Sequence, residues 1–363
     1  MDKRVFEKYL RRCGELPRIG VSHPCAVVIP AYDEAAELPR TLDSLAPALA
    51  ASPRRAAVIA VVNHPAGVSE DSSLETLRML EERKRRMPEL SVLYAPGLAG
   101  GVGAARKLGM DAFLASHTAE SADDAIIWSL DADTRVEEEY FTRVEAAFAI
   151  HPGASFCTLG FRHERGATPE LERAIRGYEV YLRDYVENLR RAGSPYAFMS
   201  IGSAFAVRGS AYVRAGGMKV RSAGEDFYFL QECAKCGEFF EVPEVLVHPS
   251  ARLSGRNVFG TGPALEKITA GTGLNRIPGA AFAGLKELLA AARDPEKLAD
   301  PERFVSAVPE EVRAFLGACR FTENWRRILA NTPRDAAARE RAFHRWFDGL
   351  KTLRLLHALA GKN

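Results

Sequence analysis

Ala125-Ile-Ile-Trp-Ser-Leu-Asp-Ala-Asp133 is the stretch on which the fold turns. Its first six residues form an apolar run of strand length and read as a buried strand. The run stops at two carboxylates one residue apart. Toward the N-terminus lie three more runs of this kind, Ala26–Pro30, Val58–Val62 and Ser91–Tyr94. Helical patterns separate them. Asp33 offers an N-cap for Glu34–Leu49, Ser73–Arg86 carries Leu74, Leu77 and Leu80 on one face, and Ala104–Ser116 turns Leu108, Ala112 and Ala115 inward. A fourth helix is expected near Glu137–Ile150. Strand alternating with helix four times predicts a parallel sheet covered on both faces.

Further along, the rhythm changes. Ser155–Phe161 reads as a strand, and Thr168 with Pro169 opens a long helix to about Arg190. Phe198–Val207 and Phe239–Val247 are strand candidates, with a helix near Asp226–Lys235 between them. After Arg256 the pattern is helical, with segments near Ala280–Ala292, Pro309–Leu329 and Asp335–Leu359. The expected division is a helical segment over 1–24, an α/β domain over 25–258 and a helical extension over 259–363.

Composition narrows the class. Of 363 residues, 47% are hydrophobic and 26% charged, which suits a globular chain and excludes a disordered one. No uninterrupted apolar stretch reaches the length of a membrane span. Lys+Arg 49 against Asp+Glu 47 leaves a net charge of +2, too little for a nucleic-acid partner. Met1–Gly20 is charged and lacks the apolar region of a secretory signal. The scattered cysteines suit free thiols in a reducing cytoplasm. Cys233-Ala-Lys-Cys236 has no second pair, so it reads as two thiols on a helix.

In open parallel sheets the ligand sits outside the carboxyl ends of the strands. The residues to inspect are therefore Ala31–Glu34, Asn63-His64, Gly97–Arg106 and Asp131-Ala-Asp133. Alternate residues of an extended segment project to one side, so Asp131 and Asp133 can address one cation. A hard divalent ion held by one or two carboxylates completes its shell with water and phosphate oxygens. Asp-Ala-Asp-Thr is equally good turn chemistry. For Glu225-Asp226 the competing reading is a helix N-terminus that favours acids.

Val27-Val-Ile-Pro-Ala-Tyr-Asp-Glu34, Asp131-Ala-Asp133, Gly216-Gly217 and Gly224-Glu-Asp226 stand in an order that resembles family 2 glycosyltransferases over roughly residues 25–258. The resemblance implies the GT-A fold, an α/β, mostly parallel mixed sheet flanked by helices, here with a C-terminal helical extension. It implies a nucleotide-diphosphate sugar donor (a UDP-sugar first), Mn2+ or Mg2+, a hydroxyl acceptor such as a glycan or lipid, and inversion at the anomeric carbon. Carried over by position, Pro30, Ala31, Tyr32 and Glu34 hold base and ribose, and Asp131 with Ala132 binds the ribose or a metal-bound water. Asp133 ligates the metal, with Asp131 beside it and His248 completing the shell. Asp226 is the base, with Glu225 as its neighbour. Gly202, Arg252 and Arg256 join the donor contacts, the two guanidiniums on the diphosphate.

Two features depart from the pattern or compete with it. Asn63 stands where many members have a uracil-reading Asp, so the identity of the base is open. Gly100-Gly-Val-Gly-Ala-Ala-Arg-Lys107 opens a helix after a strand, where backbone N–H groups can meet phosphate. Because the corresponding helix start in the family carries an Arg near the nucleotide, the resemblance implies Arg106 and Lys107 as donor-site candidates, against a plain helix start with exposed bases. The helix around Phe343–Leu356 is apolar and basic. It is expected to dock on the catalytic domain, with peripheral membrane contact as the alternative, and an oligomer is left open. The rivals to a soluble, single-transfer glycosyltransferase are a nucleotidyltransferase of the same fold and a non-catalytic nucleotide-sugar or glycan-binding module.

Overall fold

The computed structural model describes residues 1–20, 23–221, 224–253 and 260–361. They form two compact units, Met1–Arg176 with Ser200–Thr272, and Gly177–Met199 with Gly273–Asn363. The first begins with α1 (Lys3–Cys13), β1 (Cys25–Ala31), α2 (Leu38–Ala51), β2 (Ala56–Asn63), α3 (Asp71–Lys84), β3 (Leu90–Ala95) and α4 (Gly101–Ala115). It continues through α5 (Ala119–Asp124), β4 (Ile126–Ser129), β5 (Thr134–Val136), α6 (Tyr140–Ile150), β6 (Phe156–Phe161) and the start of α7 (Pro169–Ala192). After Ser200 come β7 (Phe205–Arg208), α8 (Gly209–Arg214), α9 (Glu225–Ala234), β8 (Phe239–Pro249) and α10 (Thr261–Thr269).

The eight strands form one sheet in the order β3-β2-β1-β4-β7-β6-β8-β5. β3, β2, β1 and β4 run parallel, as the alternation predicts. Beyond them β7 is antiparallel to β4 and β6, and β5 antiparallel to β8, so the sheet is mixed. β1 and β2 are buried along their whole length, the mark of strands covered on both faces. Trp128 of β4 meets Phe141 of α6 edge to face at 5.1 Å, which packs that helix on the sheet.

Several boundaries differ from the sequence reading, for local reasons. The helix after β1 starts at Leu38 behind Glu37, not at an Asp33 cap, because Asp33 takes a left-handed turn (φ 55°). Of the expected Phe198–Val207 strand only Phe205–Val207 is strand, and it runs on to Arg208. The short β5 was not foreseen, because its three residues need β8 as a partner to be recognised.

The second unit holds the rest of α7 and α11 (Gly279–Ala292), α12 (Pro295–Ala299), α13 (Pro301–Ser306), α14 (Glu310–Ala318), α15 (Phe321–Ala330), α16 (Ala336–Trp346) and α17 (Gly349–Leu359). The single helix expected over Pro309–Leu329 is two, broken where Arg320 turns left-handed (φ 52°). The one expected over Asp335–Leu359 is broken at Phe347, and Asp348 caps α17 by accepting from the Lys351 amide. Phe343, Phe347, Leu355 and Leu356 are buried with Trp325 and Leu285, so this unit's own core consumes the apolar face of α16 and α17. No helix among the described residues is long and apolar enough to cross a membrane.

Candidate active site

The carboxyl ends of β1, β2 and β4 and the start of α9 bring the candidate residues toward one edge of the sheet. Turn chemistry shapes the Asp131–Asp133 segment. The Thr134 amide donates to the Asp131 carbonyl at 3.2 Å. Two residues of α2 anchor the segment: the Thr41 hydroxyl donates to the Ala132 carbonyl at 2.8 Å, and Ser44 Oγ accepts from the Val136 amide at 3.1 Å. The backbone of Asp-Ala-Asp-Thr thus follows the turn reading, while the Asp131 and Asp133 carboxylates meet Arg106 and Arg252.

Arg106 organises the centre of the site. Its side chain is 2% exposed, and its guanidinium donates to Glu225 Oε1 at 3.1 Å, to Ser129 Oγ at 2.5 Å and to Asp131. Ser129 in turn donates to the Gly202 carbonyl at 2.6 Å. A Cβ on Gly202 would lie 2.5 Å from the guanidinium, so that glycine makes room for Arg106. Burial opposes the charge on Arg106, but Asp131, Glu225 and Asp226 outweigh it and push the pKa up. One buried cation thus joins β4, the turn after it and the first residue of α9.

Asp226 follows Glu225 at the helix start. Its Oδ1 accepts from the Phe227 amide at 2.7 Å. Burial and the neighbouring Glu225 push its carboxyl up to about 7, against the opposing pull of the Phe227 amide and Arg106. A second cluster gathers around Asp133. Arg252 Nη2 lies 2.6 Å from Glu34 Oε1, and Arg252 Nε lies 2.7 Å from Asp133 Oδ2. Burial, with Asp131 and Glu34 nearby, raises Asp133 to about 6 although Arg252 opposes the shift.

Other predicted residues take different places. His248 is not joined to Asp131 and Asp133 in a three-ligand group: its Nε2 meets Glu137 Oε1 at 2.6 Å and its Nδ1 the Arg162 carbonyl at 3.1 Å. Lys107 pairs with Asp111 and reaches the Tyr9 hydroxyl at 3.2 Å. Asp111 also accepts from the Tyr9 and Tyr212 hydroxyls at 2.6 and 2.8 Å, so Lys107 belongs to a buried network that anchors α1. Two of the glycines that suggested a phosphate cradle, Gly100 and Gly103, lie close against the Lys219–Arg221 segment. A Cβ on Gly103 would lie 2.7 Å from the Lys219 carbonyl oxygen and 2.8 Å from that of Arg221. Those glycines let the Lys219–Arg221 backbone approach the start of α4. Gly217 gives room in the same way to the Tyr9 hydroxyl, with which any Cβ at that position would collide. Asn63 is buried at the end of β2, and Pro30, Ala31, Tyr32 and Glu34 stand at the end of β1 or just after it. Arg256 lies outside the described residues.

The family model described as "glycosyltransferase like family 2" matches residues 23–238, more than half of the chain. The chain belongs to this family. The mixed sheet with flanking helices is its GT-A architecture, and the protein is a glycosyltransferase. No curated protein sequence matches the chain significantly. Among solved structures, S. aureus TarS 1–349 in complex with UDP-GlcNAc is 14% identical, with a TM-score of 0.48 over 84% of this chain and 90% of that one. The mannosyltransferase PcManGT from Pyrobaculum calidifontis, in complex with GDP-Man and Mn2+, is 16% identical, with a TM-score of 0.44 over 99% and 93%. Mannosyl-3-phosphoglycerate synthase from Rubrobacter xylanophilus is 15% identical, with a TM-score of 0.41 over 75% and 78%. Nothing about substrate passes to this glycosyltransferase from similarities so distant.

Sequence reading missed Ser129, Thr41 and Glu137 as supporting residues of this glycosyltransferase. Ser129 left a signal, a lone polar residue inside the apolar run Ile126–Leu130. Thr41 and Glu137 left none, because the partners of both are distant in sequence or belong to the backbone.

Proposed function

We propose that the chain transfers one sugar, with inversion, from a nucleotide-diphosphate donor to a hydroxyl acceptor, with Asp226 as the base. A UDP-sugar is the first donor to test, with Asn63, which can both donate and accept, leaving the base open. The observation that carries the reading is the family match over residues 23–238, with Asp226 placed at the start of α9 beside the Arg106-bound Glu225 and its carboxyl raised to about 7 by burial and Glu225. A base with a pKa near the working pH combines an adequate ionised fraction with useful basicity. The acceptor oxygen attacks the anomeric carbon and its proton passes to the Asp226 carboxylate. The bond from that carbon to the phosphate oxygen breaks, and its electron pair leaves with the nucleoside diphosphate.

A divalent ion would be held by Asp133, with Asp131 beside it. The oxygen donors suit Mn2+ or Mg2+, and although burial is the larger cause of the raised Asp133 carboxyl, Asp131 and Glu34 add negative charge there. Arg252 now neutralises part of it, so a bound ion and Arg252 would compete for Asp133. His248 fits poorly as a ligand while Glu137 and the Arg162 carbonyl engage its ring. When bound, the ion stabilises negative charge on the departing diphosphate. Arg252, displaced from Asp133, would be free to serve the same oxygens.

The test is transfer and donor hydrolysis from a panel of nucleotide sugars with and without Mn2+. Asp226→Asn should keep nucleotide binding and lose transfer. Loss of nucleotide binding with an unchanged residual rate would remove Asp226 from the role of base.

A further inference from the structure

Asn63, the last residue of β2, is a polar group that the protein itself does not answer. It is 5% exposed, and among the described residues its carboxamide makes no hydrogen bond. Its side chain belongs to the sheet face that carries α4, because Ile59 and Val61, four and two residues earlier, lie against Gly109 of that helix. The nearest polar neighbours in the chain are engaged elsewhere. His64 turns to the start of α3, with Nδ1 3.2 Å from Ser73 Oγ and Nε2 3.8 Å from Glu70 Oε1. Arg106 of α4 is turned to Asp131 and Glu225. A buried amide without a partner is costly, and the strand ends of an open α/β sheet are where a ligand lies.

The chemistry of the carboxamide selects its ligand. It is neutral and holds an acceptor beside a donor, so it matches a donor–acceptor pair of a nucleotide base and not a phosphate. Half a turn of the amide exchanges the two atoms. In one orientation it fits the keto edge of uracil or guanine: Oδ1 accepts from the ring N–H and Nδ2 donates to the keto oxygen. In the other it fits the amino edge of cytosine or adenine: Nδ2 donates to the bare ring nitrogen and Oδ1 accepts from the exocyclic amine. A carboxylate in the same place accepts from the ring N–H of a keto base, but has nothing to donate to the ring nitrogen of an amino base. No hydrogen bond from the described residues holds Asn63 in either orientation. We propose that Asn63 makes the donor site indifferent to the keto or amino edge of the base; this rests on the nucleotide-donor reading above.

The test is calorimetry of the full chain at pH 8 with UDP, CDP, GDP and ADP, each with Mg2+. Within the size class that binds more tightly, pyrimidine or purine, the two dissociation constants should agree to within roughly tenfold in wild type. Asn63→Asp should keep the keto member and weaken the amino member at least roughly tenfold, the cost of one misplaced bidentate pair. Asn63→Ala reads neither edge and should weaken both members by a similar factor. Melting curves confirm that both variants fold. A wider preference in wild type, unchanged selectivity in Asn63→Asp, or unchanged affinities in Asn63→Ala overturns the proposal. No binding by any of the four diphosphates refutes the nucleotide-donor reading itself, whereas binding with the wrong selectivity refutes the role of Asn63 alone.

Discussion

Replacing Arg106 with Met removes the cation that joins three parts of the site and keeps most of the side-chain length. Glu225 and Arg106 are both buried, so the variant leaves a carboxylate in the interior without its counter-ion. Breaking a buried pair from one side costs about 3–5 kcal/mol. A separate limit comes from proton uptake. An ordinary glutamate with a pKa of about 4.3 can be neutralised at pH 7 for roughly 3.7 kcal/mol, and at pH 5 for roughly 1 kcal/mol. For one carboxylate the electrostatic part of the loss cannot exceed these ceilings. The variant should therefore be destabilised by about 3–4 kcal/mol at pH 7 and distinctly less at pH 5. The sign follows because a carboxyl whose folded pKa is raised loses stability as pH rises through that value.

Urea unfolding of wild type and Arg106→Met at the two pH values measures the difference. Arg106 also opposes the upward shift of Asp226, so activity that survives in the variant should require a higher pH than in wild type. Arg106→Lys should rescue little, because one ammonium cannot reach Glu225, Ser129 and Asp131 together. A variant of unchanged stability that has lost only nucleotide affinity would refute this reasoning. It would return Arg106 to the donor contact that the sequence suggested.

The rate of transfer should rise with pH through about 7 as Asp226 loses its proton, and a pH–rate profile measures that limb. The raised folded pKa also means that stability from the bound proton is lost as pH climbs through about 7, so Asp226→Asn should melt higher than wild type at pH 8, with the gap closing toward pH 4. Mn2+ affinity should strengthen as pH rises through about 6, where Asp133 ionises, and calorimetry should find it lost in Asp133→Ala with the fold intact. Tyr9→Phe removes a 2.6 Å hydrogen bond to buried Asp111 and should cost about 1.5–3 kcal/mol in denaturant unfolding. Lys107→Met should lower stability in the same assay and leave the nucleotide dissociation constant unchanged.

Much of the catalytic unit was legible because its signals are local. The runs before Pro30, Asn63 and Asp131 are as apolar as fully covered strands must be, and they do form the central strands. Asp131, Glu225 and Arg106 were each singled out from the sequence, and the structure brings them together. Their relationship was not legible. Arg106 and Glu225 are 119 residues apart, and nothing in either segment says that the guanidinium turns inward to its own protein. The same limit applies to Lys107, whose pairing with Asp111 is local but whose anchoring of Tyr9 is not. The two broken C-terminal helices were missed because Arg320 and Phe347 are residues that helices tolerate, and packing decided the turn.

The amino-acid order by itself determined that a parallel-stranded α/β unit presents acids at its strand ends. Hydrophobic period and abrupt polar stops are properties of neighbouring residues, and they survive without any knowledge of the partner strand. Only the tertiary structure decided which charges satisfy one another. Arg106 is spent on Asp131 and Glu225, Arg252 lies between Glu34 and Asp133, and Lys107 goes to the buried Asp111. Desolvation is the reason. A side chain's charge acquires its value, its partner and its pKa from the groups that exclude water around it, and those groups come from every part of the chain.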